Sequence, residues 1–175
     1  DRPLLKPKRK DPLARTRRPL LPPAARSRRA HDLTLAAAEG RFAIHQCVEC
    51  GTFSYPAREA CPSCLSAEIK LSDAPNTGTI LSMTVADIPA DSYFRERAPW
   101  PLGLVKLDCG PTAICHLHHA CANGMAVRLF LMLDKAGQAV FYAAPKEGKH
   151  PMVDDPEWRE LTADPKFRRV LITDG

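Results

Sequence analysis

The chain has 175 residues, 45% of them hydrophobic and 6% aromatic, with 17 prolines, seven cysteines and a formal charge of +5. That is enough for one good core with small appendages, while the proline content implies that a sizeable part is extended or irregular. No apolar run approaches the ~20 residues of a membrane span and no hydrophobic signal-peptide core precedes the first cysteine, which excludes a membrane-spanning class, and the odd cysteine count points to a reducing cytoplasm.

The charge is uneven. Residues 1–40 hold eleven of the 25 basic side chains against four of the 20 acidic ones, so the basic balance belongs to the N-terminal arm and the rest is slightly acidic. Residues 1–29 mix prolines with Lys and Arg and cannot form a helix of any length. Three readings stand for this arm: a solvated tail, a polyanion-binding tail, or an arm wrapped across a partner subunit, which the spaced Leu4, Leu5, Leu13, Leu20 and Leu21 favour. From Ala30 to Gly40 the pattern predicts a short helix stopped by the glycine, and Arg41–Gln46 alternates as a strand.

Cys47-Val-Glu-Cys50 and Cys61-Pro-Ser-Cys64 follow, ten residues apart. Each pair offers two thiolates from one tight turn, and a short spacer lets the second turn fold back on the first, which is what a tetrahedral structural zinc site needs. Gly51 suits the knuckle backbone and Pro62 stiffens the other turn. Two disulfides, or a redox pair, fit less well in a chain of this size with no βαβ pattern around either motif. Glu68–Leu71 reads as the strand leaving the ribbon, so residues 30–71 form a helix and zinc ribbon.

Five strand-like runs occupy residues 72–145: Gly78–Val85, Leu102–Leu107, Thr112–Leu117, Ala126–Leu133 and Ala139–Ala143. Turns at Asp108–Pro111, Asn123-Gly124 and Lys135–Gly137 separate them. This punctuation predicts a mainly β fold with a five-stranded barrel of the OB type. A long connection from Ala86 to Pro101, carrying Tyr93, Phe94 and Trp100, interrupts the barrel and reads as a functional loop. Residues 146–175 read as a polar linker with one or two helical turns at Asp155–Leu161, then a buried-type strand, Arg169–Thr173.

The ordered combination of Gly40-Arg-Phe-Ala-Ile-His-Gln-Cys-Val-Glu-Cys-Gly51, Tyr55-Pro-Ala-Arg-Glu-Ala-Cys-Pro-Ser-Cys64 and Gly78-Thr-Ile-Leu-Ser-Met-Thr84 resembles the bacterial and archaeal family that joins a rubredoxin-like zinc ribbon to an OB-fold and is associated with acyl-CoA enzymes. Pro99–Gly110 and Asn123–Leu129 resemble its later segments, so the likeness covers roughly residues 30–145, with Ala57 standing where the family often has a second proline. The resemblance implies a structural zinc on Cys47, Cys50, Cys61 and Cys64. It also implies a non-catalytic or helper subunit of acyl-CoA and lipid metabolism that partners a thiolase-fold enzyme (thiolase, synthase or aldolase), while the leucine-bearing arm predicts assembly with such a subunit, self-association, or both. The tail Phe167–Gly175 separately resembles the first strand of a short-chain dehydrogenase/reductase, whose phosphate loop would begin where this sequence stops.

An acyl-CoA ligand needs cations for its phosphates and an aromatic or apolar face for adenine. Tyr55, Arg58, Phe94, Arg95, Arg97 and Trp100 supply those residue types, against the alternative of a solvated loop pinned by one buried Trp. Single-stranded nucleic-acid binding is the competing class, weakened by the slightly negative barrel with few strand aromatics. The run Cys115-His-Leu-His-His119 invites a second metal, yet strand alternation places Cys115 and His119 on one face and His116 and His118 on the other. Catalysis by this chain alone lacks a nucleophile-elbow or thiolase-like context.

Overall fold

A computed structural model describes residues 20–23, 30–147 and 154–163. Most of the basic arm and the strand expected at residues 169–173 lie outside the described residues. Helix α1 (His31–Ala38) buries Leu33, Ala36 and Ala37, one face at helical spacing. Gly40 at φ +73° ends it, with Arg41 N–H returning to the Ala36 carbonyl at 2.9 Å. Asp32 reaches the buried His45 at 3.0 Å and ties the helix to the strand that follows.

The ribbon sheet has β1 (Ala43–Cys47) in the middle, flanked by β2 (Phe53–Ser54) and β3 (Ile69–Asp73), all antiparallel. A closed barrel follows, built from β4 (Thr77–Ala86), β5 (Trp100–Leu107), β6 (Thr112–Leu117), β7 (Ala126–Leu133) and β8 (Ala139–Pro145) in the order β4-β5-β6-β8-β7. The parallel β6–β8 pair and the β4–β7 pair close it. That is the OB-type barrel expected from the sequence, and closure removes the sheet edges. Gly78 permits it locally: a Cβ there would sit 2.4 Å from the Lys106 carbonyl oxygen.

Helix, ribbon and barrel share one core. Leu33, Ala36, Ala43 and Ile44 cluster with Ile80, Val105, Leu117 and Phe141, and Phe42 and Tyr55 set their rings against Phe141. β3 runs on to Asp73, which pairs with Ala43 of β1.

The connection after β4 is more ordered than a solvated loop. The barrel strands absorb both of its ends, and residues 92–95 form α2 (Ser92–Arg95), capped by Asp91, whose side chain accepts the Tyr93 N–H at 2.7 Å. A second core cluster then joins Trp100, Met132, Tyr142 and Ala144 to Leu161 of α3 (Pro156–Leu161), with Phe94 and Trp158 packed on it. No helix among the described residues is long and apolar enough to cross a membrane.

Candidate metal centre and ligand groove

The two Cys-x-x-Cys turns are built alike. Gly51 N–H donates to the Cys47 carbonyl and Leu65 N–H to the Cys61 carbonyl, both at 3.0 Å. The residue after each pair is left-handed, Gly51 at φ +73° and Leu65 at φ +63°. Both knuckles therefore aim two sulfurs at one point. Cys47 and Cys64 sulfurs lie 3.5 Å apart, as do those of Cys50 and Cys61, and all four fall within 4.8 Å of one another. Tetrahedral zinc with ~2.3 Å bonds sets its sulfurs about 3.8 Å apart, so the donor set fits zinc in a closed structural site. Four thiols at this separation cannot all ionise without a cation between them. Cys47 and Cys61 are buried, and Cys50 and Cys64 are exposed to solvent.

The six residues singled out for a CoA ester fall in two places. Tyr55 and Arg58 line a groove of about 550 Å³ between ribbon and barrel, closed on the other side by the Cys109–Thr112 turn. Trp100 is 2% exposed, and its indole N–H donates to His116 Nδ1 at 2.8 Å. Phe94 stacks on His116 and tilts against Trp100. Arg97 lies 3.7 Å from the Tyr93 ring centre and bonds the Glu160 carboxylate, while Arg95 donates to the Pro89 and Ala90 carbonyls of its own loop. The loop's aromatics and Arg97 thus pack and bond against α3, leaving Tyr55 and Arg58 as the pair on an open concave surface.

The structure also assembles a cluster that the strand pattern hid. β6 ends at Leu117, so His118 and His119 escape its alternation and lie in a turn, rings stacked 4.2 Å apart. Asp155, the N-cap of α3, meets them there. Its Oδ1 lies 2.7 Å from His119 Nδ1 and 3.5 Å from His118 Nε2, and its Oδ2 accepts the Tyr142 hydroxyl and the Trp158 N–H. Burial pushes this carboxyl's pKa up, but the bonds from Tyr142, His119 and Trp158 outweigh it and leave it lowered. The one local signal for this cluster was the His-His pair. Asp155 stands 36 residues away.

On the barrel's outer wall, Leu104 of β5 pairs with Ile114 of β6, and Leu81 stands exposed at a bulge in β4, next to the Ser82 that pairs with Leu104. These side chains are 39%, 68% and 54% exposed, and Leu104 and Ile114 share a shallow surface hollow with Met83 and Leu102.

Comparison with known proteins agrees with this architecture. A chain of the solved structure titled "Ltp2-ChsH2(DUF35) aldolase" superposes with a TM-score of 0.61 at 26% identity, covering 72% of this chain and 100% of that one. A search of curated proteins finds no match. Residues 36–69 match the family model described as the rubredoxin-like zinc ribbon domain of ChsH2, and residues 72–130 match its C-terminal OB-fold domain. Ribbon and barrel, in that order, account for more than half of the sequence, and the chain belongs to the ChsH2-type family that joins a rubredoxin-like zinc ribbon to an OB-fold.

Proposed function

We propose that this chain is a non-catalytic helper that assembles with a thiolase-fold enzyme of acyl-CoA metabolism, of thiolase, synthase or aldolase type, and helps to hold that enzyme's acyl-CoA substrate. The observation that carries the reading is the match to a chain from an aldolase structure, over the whole of that chain and 72% of this one. The exposed apolar side chains of Leu81, Leu104 and Ile114 support it, because such surface gains ~25 cal/mol per Å² when a partner covers it. Tyr55 and Arg58 offer an aromatic face and a cation on a groove of a size suited to part of a nucleotide ester. A helper role also agrees with the thiols: burial pushes Cys115 up to about 12 and Cys121 up to about 11, so neither is an activated nucleophile.

In this reading the four-cysteine zinc is structural, and the proline-rich arm of residues 1–29 lies across the partner subunit. Ordering some thirty residues costs roughly 1 kcal/mol or more each, so only a large partner surface could hold them. A reductase domain following residue 175 would add its own activity without changing this role.

The test is isolation of the tagged chain from its native cell, with mass spectrometry of what accompanies it. A thiolase-fold subunit in fixed stoichiometry is expected. Ile114→Lys or Leu104→Lys should release it with zinc content unchanged, and Arg58→Ala should weaken retention of the complex on a CoA-ester resin. A chain that elutes alone, or with single-stranded nucleic acid that salt removes, overturns the proposal.

A further inference from the structure

Closure of the barrel leaves part of β7 open along one side. Asp134 N–H donates to the Gln138 carbonyl and Lys146 N–H to the Ala126 carbonyl, so the even-numbered residues of β7 turn their backbone groups to β8 and the odd-numbered ones turn theirs to the opposite edge. On that edge β4 pairs with β7 only from Ala126 to Arg128, and Leu129 N–H donates to the Asn76 carbonyl at 2.7 Å. Past this point the Leu129 carbonyl and both backbone groups of Leu131 face no strand among the described residues. An open edge beside a packed core is a place for another strand.

The chain leaving α3 begins to supply one. Lys135 N–H donates to the Leu161 carbonyl at 2.9 Å and Ala163 N–H to the Leu133 carbonyl at 3.2 Å, on either side of an antiparallel bridge between Asp134 and Thr162. That bridge sets a register for the residues after it: Asp164 falls opposite Met132, Pro165 opposite Leu131, Lys166 opposite Phe130 and Phe167 opposite Leu129. Ala163, Pro165 and Phe167 then belong to the face of Leu129, Leu131 and Leu133 in the main core, and Asp164 and Lys166 to the face of Phe130 and Met132. From Ala163 to Arg168 the sequence alternates apolar and polar in the phase this register requires. A hollow of about 270 Å³ lies along the same edge, lined by Leu129–Met132, by Ala37 of α1, by Phe42 and by Trp158 of α3.

We propose that this edge of β7 is the docking site of the chain's own residues 164–167, which add a sixth strand to the barrel and seat the Phe167 ring in the hollow. Leu131 N–H gains the Pro165 carbonyl, and the Leu129 carbonyl gains the Phe167 N–H. Pro165 has no N–H to give the Leu131 carbonyl, so that rung is single. The ladder stops at Phe167, because Asn76 already holds the Leu129 N–H. Arg169–Thr173 are therefore kept out of the barrel, and the chain departs beside the start of β4.

The test follows amide exchange by nuclear magnetic resonance in the full, zinc-loaded chain and in a chain ending at Ala163. The Leu131 amide should exchange about 100-fold or more slowly in the full chain than in the shortened one, while the Phe130 and Met132 amides, bonded to β8, stay protected in both. Phe167→Asp in the full chain should release Leu131 in the same way and spare Phe130 and Met132. Leu131 protection that is absent from the full chain, or that survives both changes, overturns the proposal. So does protection that fades on dilution, which assigns the edge to a second copy, and so does an equal loss at Phe130 and Met132 in Phe167→Asp, which is general unfolding.

Discussion

The Tyr55 and Phe141 rings pack edge to face, centroids 5.0 Å apart and planes at 74°, joining the zinc ribbon to the barrel wall. Because Ala43 and Ile44 of β1 lie in the same core, metal binding is coupled to the whole fold. Structural zinc contributes on the order of 10 kcal/mol to a ribbon. Chelation, or Cys61→Ser, should therefore lower the unfolding midpoint read from Trp100 and Trp158, which sit away from the ribbon in the second core cluster. An unchanged tryptophan midpoint would show that the two units fold independently. Phe141→Ala should cost about 3–5 kcal/mol in urea denaturation and retain the zinc.

Leu65 occupies the left-handed position that Gly51 occupies in the first knuckle, and it is 80% exposed. A leucine there carries about 1–2 kcal/mol of backbone strain and gains little packing in return. Leu65→Gly should raise stability by about 1 kcal/mol after the added chain entropy of glycine, with zinc content unchanged. A fall in the denaturation midpoint would mean that Leu65 makes a contact worth more than its strain.

Cys115 is fully buried between β5 and β8, and burial pushes its thiol up to about 12. An unfolded thiol ionises near 9, so between about pH 9 and 12 the unfolded chain releases a proton that the native state keeps. Stability is therefore unaffected by this group below pH 9 and falls as pH rises toward 12, by up to about 4 kcal/mol. Urea midpoints measured from pH 8 to 11 should decline, and Cys115→Ala should flatten the decline. An identical slope in the variant would rule out Cys115 as its source.

Tyr93 donates its hydroxyl to the Glu160 carbonyl while Arg97 bridges Tyr93 and the Glu160 side chain. Tyr93→Phe leaves the ring and removes that bond, at a cost of about 1 kcal/mol. The loss should be local. Residues 154–163 should be cleaved faster by protease, and the zinc content should not change. Equal cleavage in both proteins would show that α3 is held by its apolar contacts alone.

The sequence by itself determined the elements whose signals are local. Four cysteines in two tight turns specify a tetrahedral donor set whatever surrounds them, and the turns at Asp108–Pro111 and Lys135–Gly137 bound β6 and β7 at the residues expected, because alternation and turn chemistry act over a few residues. Tertiary structure decided everything that depends on where distant segments land. Phe94, Arg97 and Trp100 read as ligand residues by their type alone, and the neighbours they meet were set by α3, which arrives some sixty residues later in the chain and packs beside them. His118 and His119 read as split between two strand faces because alternation was extended past Leu117, where the strand stops. Asp155 reaches them only because α3 folds back over β8 and caps its own first turn with the same carboxylate, and no local pattern encodes that return.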